Sequence, residues 1–188
     1  MKQLKPLTST IVKIALLSAI ATVLMYLQFP IFPAADWIRL DFSLVACLIG
    51  GFLLGPIEGV IIIAVKILLY LLLHGTYSIG IGELANFVTC ASMVLPASLV
   101  YLKNKTKKGA IISLAVGSLC LIVVATLFNY FVVYPLYFRA FTPAIFEQMS
   151  LIKFLLTIGL AFNLISCTSN SLITFFVYKR IGNLLKKF

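Results

Sequence analysis

The chain has 188 residues, of which 62% are apolar and 11% charged, with a formal net charge of +10 and a mean hydropathy of +1.14. Soluble domains are nearer half apolar and a quarter charged, and a chain this short has no aqueous core able to hide the excess. A water-soluble fold and a separate ATP-binding domain are thereby excluded, and the expectation is an all-α membrane bundle forming one domain over residues 1–188.

A spanning helix needs about 20 mostly apolar residues. Six stretches are predicted to cross, at about 11–29, 42–54, 60–73, 83–102, 110–138 and 154–178. Lys2, Lys5 and Lys13 precede the first, which is too long for a signal h-region and lacks a small-residue cleavage site, so no cleavable leader is expected. It carries Ala15 and Ala19, a small-xxx-small pair that allows close approach of another membrane helix. Pro30 and Pro33 close it. The connection Ile31–Leu40, with Phe32 and Trp37, reads either as a lid or as an ordinary interfacial loop. The second span follows Leu40-Asp41-Phe42-Ser43, and Gly55-Pro56-Ile57-Glu58-Gly59 then predicts a tight reversal. The short third span carries Lys66 and leads into the glycine-rich run His74–Gly82. The fourth opens with Glu83 and Asn86 and ends at the basic loop Lys103–Gly109. The fifth is long enough to tilt or bend before Pro135.

Lysine and arginine set the orientation. With the N-terminus inside, Lys2, Lys5, Lys13, Lys103, Lys105, Lys107, Lys108, Lys179, Arg180, Lys186 and Lys187 fall on the cytoplasmic side, and only Arg39, Arg139 and Lys153 outside. Both termini are therefore expected in the cytoplasm of a cell (plasma) membrane protein. The basic charge is a topology signal, and no nucleic acid partner is implied. Cys47, Cys90, Cys120 and Cys167 lie in apolar stretches without ligand spacing and read as packing residues, with no metal site.

Polar groups inside a bilayer are costly, so their positions are informative. At 1.5 Å per residue, Asn129 lies about 14 Å below the outer end of its span, Asn163 about 15 Å and Lys66 about 12 Å. Glu83 and Asn86 stand at the mouth above them. Asn163, Ser166, Asn170 and Thr174 share one helical face. Interhelical hydrogen bonding explains such residues as well as a cavity does. At matched depth, the amides of Asn129 and Asn163 favour a site for an uncharged heterocycle with ring N–H and C=O groups. Lys66 is expected to snorkel outward or to meet a carboxylate, Asp41 or Glu83. Tyr130, Tyr134 and Tyr137 read as one face, either an interfacial belt or a stacking surface.

The segments Leu40–Ser43, Gly51–Pro56, Gly75–Phe87, Phe128-Asn129-Tyr130 with Tyr134-Pro135, and Phe162–Ile165 together resemble the riboflavin-binding S components of energy-coupling factor (ECF) transporters. The resemblance covers nearly the whole chain. It implies a vitamin-capturing subunit that associates with a transmembrane coupling protein and two ATPase subunits, with Ala15 and Ala19 at the coupling-protein contact. Riboflavin is implied as transported ligand rather than cofactor. The candidate ligand set is Leu40, Asp41, Lys66, Thr76, Glu83, Asn86, Asn129, Tyr130, Asn163 and Ser166. Two departures stand out: relatives commonly have lysine where Ser166 stands, and a more polar setting than Ile63 and Ile67 beside the lysine.

No Gly-x-x-x-x-Gly-Lys loop is present, so ATP hydrolysis is assigned to partners. The one histidine, His74, and the absence of hydrolase motifs argue against an enzyme. An S component for another vitamin and an ATPase-independent facilitator remain as alternatives, ahead of a structural scaffold.

Overall fold

The computed structural model describes residues 6–33, 38–76, 79–136 and 150–185. Trp37, Tyr137, Arg139 and the terminal Lys2, Lys5, Lys186 and Lys187 lie outside the described residues. Six helices make up the fold: α1 (Pro6–Tyr26), α2 (Ser43–Leu53), α3 (Pro56–His74), α4 (Ile81–Lys103), α5 (Lys107–Phe128) and α6 (Leu160–Leu185). Five helical runs are long and apolar enough to cross a bilayer, while α2, with 11 residues, is shorter. Large apolar side chains such as Leu72, Leu119, Phe131, Leu156 and Phe176 point outward, as they do where lipid is the solvent. The protein is an all-α membrane protein.

The short helix is the centre. Ser43 through Phe52 are all buried in α2, which packs against α1, α3, α4 and α6. Helices come this close only where side chains are small. A Cβ added at Gly59 of α3 would stand 3.0 Å from the Gly51 Cα and 2.7 Å from a Val94 methyl. At the C-terminal end of α2, Phe52 stacks on Tyr101 at 4.3 Å between centroids, and Tyr178 meets both rings edge-on. That end of the bundle is filled by aromatic rings.

Boundaries follow local chemistry. The reversal after α2 is tighter than the predicted five residues, because α3 already begins at Pro56. Proline at the first helical position costs no hydrogen bond, and Gly55 supplies a φ of +140° that only glycine adopts readily. Thr106 caps α5 by accepting from the Gly109 N–H at 3.0 Å. The connection Ile31–Leu40 is anchored by a two-residue antiparallel ribbon that pairs Phe29 with Leu40 and Pro30 with Arg39.

The expected bend before Pro135 takes a specific form. Helix α5 continues into a π-turn at Asn129–Val133, where the Tyr134 N–H reaches the Asn129 carbonyl. Proline cannot donate to the carbonyl four residues back and its ring crowds it, and the widened turn relieves the conflict. A second π-turn, Leu155–Gly159, joins the opening turn Leu151–Phe154 to α6.

Candidate ligand-binding site

At the end of the bundle away from the aromatic cluster, a cavity of about 240 Å³ opens between the helices. This is a little under the usual range of roughly 300–1,000 Å³ for small-molecule sites, which suits one compact heterocycle and not a dinucleotide. Asp41 and Leu44 border it from α2 and its approach, Asn86, Thr89 and Cys90 from α4, Asn129 from the start of the π-turn after α5, and Asn163, Ser166 and Asn170 from α6. Ile38 and Arg39 from the ribbon also line it, so the connection expected either as lid or as loop does border the ligand space.

Asn129 and Asn163 come from different helices and face one void, as their matched depth predicted. Neither side chain has a hydrogen-bond partner among the described residues. If these amides served to tie helices together, they would bond to each other or to a neighbouring backbone. Asn163 is only 6% exposed, so its unmatched donors and acceptor need a partner that enters the cavity.

The wall behind the cavity is a continuous polar network. The Lys66 amino group is fully buried and donates to the Ser43 hydroxyl at 2.6 Å and to the Cys90 sulfur at 3.7 Å. The Cys90 thiol donates to Asn86 Oδ1 at 3.5 Å, which leaves the Asn86 amide N–H groups for the cavity. The Ser43 N–H donates to Asp41 Oδ1 at 2.7 Å, in the first turn of α2 where a carboxylate complements the helix dipole. Asn170 Nδ2 donates to the Asp41 carbonyl at 3.3 Å and to the Ser166 carbonyl at 3.0 Å. One network thus fixes α2, α3, α4 and α6 around the void.

Several expected contacts are placed elsewhere. Lys66 forms no ion pair with Asp41 or Glu83 among the described residues; a serine hydroxyl and a thiol sulfur accept its protons instead. It does not line the cavity, but holds in place three residues that do or that reach it. Leu40 is buried in the ribbon behind the wall. Glu83 is half-buried in the first turn of α4 and only its neighbour Gly82 reaches the lining. Thr76 is exposed, and its hydroxyl accepts from the Gly80 N–H at 3.1 Å to close a turn. Tyr130 is 39% exposed and packs edge-on against Phe131, whereas Tyr134 is buried and lines the cavity. The tyrosines do not share a face because the π-turn between them rotates the chain. Ala15 and Ala19 lie on the exposed side of α1.

Thr89, Cys90, Arg39 and Asn170 were not expected at the site. Thr89 and Cys90 follow Asn86 at helical spacings of three and four, which was the available signal. All four cysteines are free thiols.

A helical membrane protein whose one described cavity is lined by amides left without internal partners is built to take a small polar molecule from its surroundings. Comparison with known proteins gives this class a family. Residues 9–178 match the family described as ECF transporter, substrate-specific component, and the chain belongs to it. It is a substrate-capturing subunit of an ECF transporter. The riboflavin transporter RibU of Staphylococcus aureus (strain TCH60) is 34% identical over 180 residues, covering 94% of this chain and 92% of the relative. The riboflavin transporter FmnP of Bacillus subtilis (strain 168) is 31% identical over 128 residues, 68% of this chain and 67% of the relative. A solved S component of a bacterial ECF transporter superposes with a TM-score of 0.77 at 33% identity, covering 95% of this chain and 98% of that one.

Proposed function

We propose that this chain captures riboflavin at the outer face of the cell membrane and delivers it through an ECF module. The bundle crosses six times, with the buried α2 as its short second span and both termini cytoplasmic. The reading is carried by the amides of Asn129 and Asn163, which share one cavity and lack partners within the fold. A flavin ring presents alternating C=O and N–H groups that an amide matches in both senses, and relatives covering most of the chain are named riboflavin transporters. Asn129, Asn163, Asn86, Ser166 and Asp41 are the ligand-contacting residues. Lys66 acts through the wall. Ala15 and Ala19 let a transmembrane coupling protein approach α1 closely, and two ATPase subunits supply the energy.

The test is equilibrium titration of the purified protein with riboflavin, followed by quenching of flavin fluorescence. Saturation at submicromolar ligand is expected; no saturable binding at micromolar riboflavin would reject the flavin site. Ser166, a short hydroxyl where the family resemblance leads one to expect lysine, favours a second reading in which a related heterocycle binds more tightly. Competition by lumichrome and by pterins against riboflavin separates the two.

A further inference from the structure

Asn170 sits one turn below Ser166 on the cavity face of α6 and is fully buried. Its Nδ2 donates to two carbonyl oxygens, that of Asp41 at 3.3 Å and that of Ser166 at 3.0 Å. Those two acceptors fix the amide's orientation, because turning it over would set its oxygen against both carbonyls. Oδ1 is therefore held on the other side, enclosed and without a hydrogen-bond partner among the described residues. Buried amide oxygens are almost always paired. The residue borders the cavity, and that void is where a donor can arrive.

We propose that Asn170 Oδ1 accepts a hydrogen bond from an N–H or O–H group of the bound ligand, making Asn170 a specificity-determining residue at the inner end of the cavity. The proposal rests on the reading of this cavity as a flavin site. It also gives ligand binding a structural consequence. The amide that receives the ligand's proton is the one that ties the approach to α2 to α6, across 129 positions of sequence. Accepting a hydrogen bond at Oδ1 polarises the amide and strengthens what Nδ2 donates, so an occupied cavity holds Asp41 more firmly than an empty one.

Riboflavin carries two kinds of donor, the ring imide N–H and the ribityl hydroxyls. Riboflavin, 3-methylriboflavin (imide blocked) and lumiflavin (hydroxyls removed) are titrated against the native protein and Asn170→Leu, with Asn170→Ala serving if the leucine variant does not elute as a monodisperse peak. In the native protein, losing the donor that faces Asn170 is expected to weaken binding about tenfold. In the variant, that same loss falls below about threefold, since the acceptor is gone. The analogue whose penalty collapses identifies the donor. If both penalties are as large in the variant as in the native protein, Asn170 is only a clamp between helices and the proposal is wrong. If the native protein binds no flavin, the flavin reading fails first, and the proposal with it.

Discussion

Replacing Asn163 by leucine separates the cost of binding from the cost of folding. The side chain is 6% exposed and has no hydrogen-bond partner among the described residues, so its removal breaks nothing in the empty protein. Leucine is close in volume, and an unpaired buried amide is unfavourable by itself. The thermal midpoint should therefore hold or rise. Binding behaves oppositely: a ligand group that met the amide is left facing a methyl, which costs about 1–3 kcal/mol, or roughly five- to 150-fold in Kd. Fluorescence-quenching titration with riboflavin gives the Kd, and scanning fluorimetry in the same detergent gives the midpoint. Asn129→Leu should behave alike, since that side chain is equally unpartnered. A Kd within twofold of the native value would remove these amides from the site. A midpoint lowered by many degrees would show that Asn163 ties helices together, and the case for a ligand cavity would lose its main support.

Three further outcomes follow from the same geometry. Lys66→Met removes a buried amine whose partners, Ser43 and Cys90, are uncharged; no charge is stranded, so stability should change by less than about 1 kcal/mol while riboflavin affinity falls several-fold as Asn86 and Asp41 loosen. A large fall in thermal midpoint would show instead that the amine balances Asp41. Deleting Phe131, which is 69% exposed, turns the π-turn into an ordinary α-turn and rotates Val133 and Tyr134 by about 100° relative to Asn129; riboflavin affinity should fall more than tenfold with helical circular dichroism retained, and unchanged affinity would mean the turn does not shape the site. Ala15→Leu with Ala19→Leu adds bulk only to the exposed side of α1; riboflavin binding should be unchanged while uptake by cells carrying the ECF module is lost, and normal uptake would move the docking face elsewhere.

The sequence disclosed what depends on depth and on punctuation. Asn129 and Asn163 could be placed at one level because helical rise is fixed, and Gly55-Pro56 could be placed at a reversal because few residues tolerate that backbone. It did not disclose what depends on rotation. Tyr130 and Tyr134 are four apart and should share a face, yet a π-turn lies between them and only Tyr134 reaches the cavity. Nothing at Asn129–Val133 itself announces the extra residue in the turn; Pro135 announces a conflict but not how it resolves. Lys66 shows a related limit. Its burial required a partner, and carboxylates were the obvious candidates, but which acceptor meets an amine across three helices is set by packing. Ser43 and Cys90, small and polar, fit where Asp41 does not reach. Asn170 stood in the predicted polar face of the last helix, and only its orphaned oxygen distinguishes it there from interhelical glue.

A subunit that captures a ligand and later yields it needs two states of different affinity, and the difference must reside in contacts that one state lacks. The elements around the cavity are held unequally. Asn86 and Cys90 belong to α4 deep in a long helix, and Asn163 and Ser166 to α6. Ile38, Arg39 and Asp41 are different. They precede α2 on a segment secured by a two-residue ribbon, by Asp41 Oδ1 on the Ser43 N–H, and by the single Asn170 hydrogen bond to the Asp41 carbonyl. Shifting that segment by a few ångströms breaks few bonds, whereas moving Asn163 means moving a helix. The rigid wall accordingly supplies recognition. The short approach to α2 is the part whose displacement lowers affinity at least expense to the fold, and a bound ligand that engages Asn170 works against that displacement.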